Sequence, residues 1–202
     1  MENITAAVID SGVEVGDAFF LGKKIKSVQY INHEFKKCIY DNDTHGTNII
    51  KKLLYESPDT EIISIQILDK KLKGNVEDLC EAVNYCIEND VDIINLSLGF
   101  TLKESLEDQE KILGLKYICE KALNAGIVIF AADNNKNGIS YPANFDNVIR
   151  ISSDKEQISY LAVDKIKKNI IFSDSYVCIP DMVKFKIYRG NSFLTPLVAG
   201  LY

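Results

Sequence analysis

Three stretches decide the fold: Ile62-Ile-Ser-Ile-Gln-Ile-Leu68, the repeat Val76, Leu79, Cys80, Val83, Cys86, Ile87, and Asp92-Ile-Ile-Asn-Leu-Ser-Leu98. The first and last are short apolar runs and read as buried strands. In the middle stretch the apolar side chains return every three or four residues, one face of a helix. Working outward, Ala6-Ala-Val-Ile9 reads as a strand that ends in the turn Asp10-Ser-Gly12. Residues 45–55 carry Ile49, Ile50, Leu53 and Leu54 as a helical stripe, which Pro58 breaks. Leu106 to Leu123 reads as a long helix stopped by Asn124-Ala-Gly126. Ile127 to Ala132 and Val148 to Ser152 read as strands, and Ser192 to Tyr202 as a last helix. Asn135-Lys-Asn-Gly138 is the clearest loop, and residues 155–189 show only short β-like pieces around Ile170 and Val177.

Apolar strands alternating with helices predict an α/β fold: three layers, a mostly parallel twisted sheet with helices on both faces. The 202 residues show no linker, repeat or low-complexity segment, so one domain over 1–202 is expected. A chain of this size buries about 70% of its unfolded surface without staples. In such sheets the chemistry sits at the carboxyl ends of the strands. Asp10, Ser97, Leu98, Gly99, Asp133 and Asn134 fall there.

Composition removes several function classes. The net charge is −6 and only two of the 23 basic residues are arginine, Arg150 and Arg189. An acidic chain with so few guanidinium forks is a poor match for nucleic acid or an anionic membrane surface. No apolar run reaches the roughly 18 residues of a membrane span, and no secretory signal is visible after Met1. The five cysteines, Cys38, Cys80, Cys86, Cys119 and Cys178, form no C-x-x-C pair and read as reduced thiols of a cytoplasmic protein. No G-x-G-x-x-G or Walker lysine supports a nucleotide site.

Few residues are left to carry chemistry. Of the two histidines, His33 lies in a charged, strand-like stretch and is expected at the surface. His45 heads a helix in Thr44-His-Gly-Thr47, where the helix dipole disfavours imidazolium and keeps a base neutral. By itself it also fits a histidine bonded to its own loop. Asp10 at a strand end either orients a histidine or caps the following turn. Ser192, after Gly190-Asn191, either caps a helix or offers a hydroxyl and N–H to an anion.

Taken together, Asp10, His45 and Ser192 stand in the order Asp, His, Ser that subtilisin has. Five stretches resemble the subtilisin-like (subtilase) serine peptidases: Ala7-Val-Ile-Asp-Ser-Gly-Val13, His45-Gly-Thr47, Ile94-Asn-Leu-Ser-Leu-Gly99, Ala131-Ala-Asp-Asn134 and Gly190 to Gly200. Tyr141 to Ile149 also looks like that family's segment after its oxyanion asparagine. The resemblance runs over residues 5–202. It implies Ser192 as nucleophile, His45 as general base and acid, Asp10 as the group fixing the histidine tautomer, and Asn134 as oxyanion donor beside the Ser192 N–H. Ser97, Leu98 and Gly99 match the edge strand on which an extended peptide lies, and their backbone would wall the pocket before the scissile bond.

The departures from that pattern are specific. Asp133 stands where the family usually has Gly, and three readings stay open: it narrows the pocket, favours a basic residue, or faces solvent. Asn191 replaces the usual Thr, Leu197 a His, and Thr44 a Gly. The short connection Tyr55 to Thr60 leaves no room for the calcium loop of secreted members, and Asp41 with Asp43 reads as a solvated pair, so no metal and no cofactor are expected. The expectation is a cytoplasmic serine endopeptidase that trims a small precursor or leader peptide, its partner being the peptide or protein substrate. The alternative is a pseudo-protease that binds peptides or scaffolds a complex. Phe193, Leu194, Leu197, Val198 and Leu201 form one apolar face of the last helix, which predicts a homo-oligomer or a second chain covering it.

Overall fold

The computed structural model describes residues 4–101, 105–134, 138–157, 159–181 and 183–202. The chain begins with strand β1 (Thr5–Asp10), the hairpin β2 (Ile25–Ile31) and β3 (Glu34–Lys37), and helix α1 (His45–Glu56). Strand β4 (Glu61–Gln66), helix α2 (Val76–Glu88), strand β5 (Ile93–Leu96), helix α3 (Leu106–Asn124) and strand β6 (Val128–Ala132) follow. Strands β7 (Ile149–Ser153), β8 (Leu161–Asp164), β9 (Asn169–Phe172), β10 (Tyr176–Asp181) and β11 (Lys184–Arg189) lead to helix α4 (Asn191–Leu201). A nine-stranded sheet has the order β3-β2-β4-β1-β5-β6-β7-β9-β8, and β10 and β11 form a separate pair. Every inner pairing is parallel; only the edges β3 and β8 run antiparallel to their neighbours.

The three layers follow from how the strands are built. In β1 the residues Ala6 to Ile9 are all buried and feed both faces of the sheet. Ala7 and Ile9 meet Leu79, Val83 and Cys86 of α2 and Leu115 and Cys119 of α3. Ala6 and Val8 face the opposite core, with Ile49, Ile50, Leu53 and Leu54 of α1 and Leu194 and Ala199 of α4. Fully burying each of the leucine, isoleucine and valine side chains among these is worth about 1.5–3 kcal/mol relative to exposure. Gly200 lets α4 lie close on α1: a Cβ there would sit 2.8 Å from Glu56 Cβ.

The expected strands and helices all form, with ends shifted by a residue or two. Two features differ. His33 is exposed, as expected, but stands in a tight turn rather than a strand: Asn32 (φ 52°) and His33 (φ 61°) both take left-handed conformations between β2 and β3. Those are the conformations that a two-residue hairpin turn requires. The strand expected over 92–98 ends at Leu96; residues 97–99 follow it, and the chain is pinned beyond them by the Phe100–Tyr141 bridge, N–H to carbonyl at 2.8 and 3.0 Å. Of the loop expected at Asn135 to Gly138, residues 135–137 lie outside the described residues, as does the Met1 terminus. Among the described residues no helix is long and apolar enough to cross a membrane.

Candidate active site

β1 and β5 are neighbours from which the chain moves outward in opposite directions, β4 and β2 on one side, β6 and β7 on the other. The crevice at their carboxyl ends is where such a sheet binds ligands. Asp10 closes β1 and is 1% exposed. Its Oδ1 accepts from the Ser11 N–H at 2.7 Å and lies 2.8 Å from His45 Nδ1. Gly46 makes this approach possible, because a Cβ there would stand 2.2 Å from the Gly12 carbonyl oxygen.

The start of α1 is held from outside the helix. Thr44, the residue before His45, makes no side-chain cap and sits at φ 78°. Asp41 supplies the cap instead. Its Oδ2 accepts from the Thr47 N–H at 2.7 Å and from the Thr47 hydroxyl at 2.6 Å. Its Oδ1 accepts from the Ser11 hydroxyl at 2.6 Å and the Asp43 N–H at 3.0 Å. Ser11 Oγ in turn accepts from the Gly46 N–H at 3.0 Å. Asp41 is therefore a bonded, partly buried carboxylate, not the solvated one expected; Asp43 is exposed.

Burial pushes the His45 imidazole toward the neutral form, but the Asp10 carboxylate beside it, with Asp43 and Asp41 adding charge, outweighs this and leaves its pKa raised. The ring of Phe193 packs against the imidazole, centroids 5.2 Å apart, and Tyr188 of β11 packs behind Phe193 at 4.8 Å.

Ser192 is the second residue of α4, after Gly190 at φ 137°. Two side chains fix this loop to the sheet. Asn95 donates to Ser97 Oγ at 3.0 Å, and Ser97 Oγ donates to the Ser192 carbonyl at 2.7 Å. Asn191, 2% exposed, donates to the Asp133 carbonyl at 3.1 Å and accepts from the Ser153 hydroxyl at 2.7 Å. The replacement at Asn191 thus ties the serine loop to the ends of β6 and β7.

A cavity of about 170 Å³ runs between Ser97, Leu98 and Gly99 on one wall and Ala132, Asp133 and Asn134 on the other, and reaches Ser192. Asp133 lines it, but its Oδ2 is 2.7 Å from Arg150 Nη2 on β7. With its side chain 12% exposed, Asp133 does not face solvent. Sequence reasoning misread Asp41 and missed the roles of Arg150 and of Ser140, which also lines the cavity. Nothing in the sequence sets Arg150 beside Asp133; the β6–β7 pairing does. Among the described residues no three metal-ligating side chains cluster. Burial raises the thiols, Cys80 to about 11 and Cys119 to about 12, far from a nucleophilic range.

The sequence model of the Subtilase family matches residues 1–201. The chain belongs to that family. It is similar to the minor extracellular protease Epr of Bacillus subtilis, 25% identical over all of this chain and 32% of that protein. It is also 27% identical to a thermophilic serine proteinase of Bacillus sp. (strain AK1), over 96% of this chain and 50% of that one. The chain thus spans a third to a half of the curated relatives it matches first. Among solved structures, a lanthipeptide protease superposes with TM-score 0.81 at 18% identity, covering 98% of this chain and 71% of that chain. The prenylagaramide maturation protease PagA gives TM-score 0.77 at 20% identity, over 98% and 73%. The subtilisin-like three-layer fold is common to all of these structures.

Proposed function

We propose that this subtilase chain is a serine endopeptidase that hydrolyses peptide bonds through Asp10, His45 and Ser192. The observation that carries the reading is the 2.8 Å contact between buried Asp10 Oδ1 and His45 Nδ1, with the Ser192 loop locked beside it by Ser97 and Asn191. Asp10 keeps the proton on Nδ1, so Nε2 is the basic nitrogen. Nε2 takes the Ser192 hydroxyl proton as Oγ attacks the scissile carbonyl carbon. The carbonyl oxygen becomes an oxyanion, held by the Ser192 N–H and the Asn134 side chain. Collapse breaks the C–N bond, and the imidazolium returns its proton to the leaving amine. The remaining ester is then hydrolysed by water, with His45 again as base.

The substrate in this reading is a small precursor or leader peptide. The cavity's modest size and the two fold neighbours named as a lanthipeptide protease and a maturation protease support it. Five free cysteines support a cytoplasmic setting. Of the apolar face expected on α4, Phe193, Leu194, Leu197 and Val198 pack into this chain's own core and only Leu201 is exposed, so cover by a second copy or another chain rests on Leu201 alone, and light scattering after gel filtration tests it. The activity is tested by covalent labelling with a fluorophosphonate probe and mass spectrometry of products from a peptide library. Label on Ser192 and cleavage lost in Ser192→Ala are expected. No label with no cleavage leaves a binding module instead.

A further inference from the structure

We infer that Asp133 and Arg150 act as one neutral specificity element, so that the pocket selects an uncharged side chain before the scissile bond. The inference rests on the peptidase reading above and names its substrate class.

Among the described residues, Asp133 is the only ionisable side chain lining the cavity. An aspartate in such a wall normally recruits a cation from the substrate. Here the cation is already built in. Arg150 Nη2 lies 2.7 Å from Asp133 Oδ2, and the two side chains are only 31% and 12% exposed. Arg150 Nη1 also donates to Asn144 Oδ1 at 3.2 Å, so the guanidinium is held from two sides. The other carboxylate oxygen, Asp133 Oδ1, is shut off from solvent. The backbone of Asp133 is fixed as well, its N–H donating to the Ile151 carbonyl at 2.8 Å and its carbonyl accepting from Asn191 at 3.1 Å. A substrate lysine or arginine entering the pocket meets a carboxylate whose charge Arg150 has already neutralised. A substrate carboxylate meets the same neutral pair and gains nothing.

Ser140 forms part of the opposite lining. It is 3% exposed, and its Oγ would stand 2.2 Å from a Cβ placed on Gly99, so the hydroxyl lies directly against that wall. The remaining volume of about 170 Å³ exceeds the roughly 150 Å³ of a cavity that holds benzene. Uncharged side chains from alanine to phenylalanine therefore fit, and charge rather than size makes the selection.

The experiment compares kcat/KM for peptides identical except at the residue before the cleaved bond, carrying Ala, Ser, Asn, Phe, Lys, Arg or Asp. The wild type is expected to favour Ala, Ser, Asn and Phe over Lys, Arg and Asp by about tenfold or more. Arg150→Met frees the Asp133 charge and is expected to raise Lys and Arg relative to Ala by about tenfold, whereas Arg150→Lys keeps the wild-type order. Asp133→Asn reads the pair from the other side and is expected to raise the Asp peptide, which serves if Arg150→Met melts below the assay temperature. A wild-type preference for Lys or Arg overturns the inference, as does an Arg150→Met profile unchanged in a folded protein. Failure of the peptidase reading is distinct: no peptide is cut and Ser192 takes no fluorophosphonate label.

Discussion

Asp41 Oδ2 takes two hydrogen bonds from one residue, the N–H and the hydroxyl of Thr47, at 2.7 and 2.6 Å. This pair does for α1 what the residue before His45 does not, since Thr44 contributes no cap. It sets the first turn of the helix on which His45 is mounted, and through Ser11 it also supports the Gly46 N–H.

Asp41→Ala is accordingly expected to lower stability by about 1–2 kcal/mol, the scale of a lost helix cap with buried donors left over. The same change should lower kcat more than it raises KM, because His45 loses its orientation while the pocket is untouched. Asp41→Asn keeps an acceptor and should recover much of both. Thermal melting and steady-state kinetics read the two effects; a stable Asp41→Ala protein with unchanged kcat would contradict this role.

Thr44 at φ 78° is a second local consequence of the same turn. A β-branched residue in the left-handed region is strained, and glycine is not. Thr44 is exposed and makes no cap, so nothing is lost by removing its side chain. Thr44→Gly is expected to raise stability by about 1 kcal/mol with little change in kcat/KM. A lower melting temperature would show that the threonine side chain contributes something other than strain.

How much of this was legible in the sequence depends on where each residue's partners lie. The inner strands could be read because burial on both faces leaves continuous runs such as Ala6 to Ile9. The hairpin of β2 and β3 could not, since its outer positions carry Lys26, Glu34 and Lys36, and its apolar members Tyr30 and Phe35 pack on each other, with Phe35 meeting Tyr85 on α2. β8 and β11 were hidden for the same reason, being edge strands with exposed residues such as Val163 and Ile187. At the site, Asp10, His45 and Ser192 announce themselves through their flanking motifs. Arg150 does not, because it reaches Asp133 only through the parallel pairing that sets Ala131 beside Arg150. Asn191 looked like a mild replacement, and only the fold brings Ser153 and the Asp133 carbonyl to its amide.

In the proposed mechanism Asn134 is the second oxyanion donor beside the Ser192 N–H. Removing one oxyanion donor in subtilisin costs about 10²–10³ in kcat, and the same scale is expected for Asn134→Leu here. KM should change little, since the donor acts on the oxyanion rather than the bound carbonyl. A parallel rise in KM with kcat preserved would place Asn134 in substrate binding instead.

The acid limb of activity follows from the charges around His45. Its burial lowers the pKa, but Asp10, then Asp43 and Asp41, raise it above the usual value. Hydrolysis needs the neutral imidazole, so kcat/KM is expected to fall as pH drops through that raised pKa. Stability runs the other way. A histidine raised in the folded state contributes stability that is fully present below its unfolded pKa of about 6.5 and lost as pH rises through the folded value. Activity and the His45 contribution to melting temperature should therefore move in opposite directions across that window. Asp43 is the clean lever, because it is exposed and its side chain takes no part in the Asp41 bonding to Thr47. Asp43→Asn is expected to shift the acid limb to lower pH without loss at the plateau, and added salt should shrink the difference by screening. Asp10→Asn should shift it too, at a cost of roughly 10⁴ in kcat through the wrong tautomer. Profiles of kcat/KM against pH for the three proteins decide it: an acid limb that stays in place in Asp43→Asn at low salt would mean that His45 does not feel the loop carboxylates.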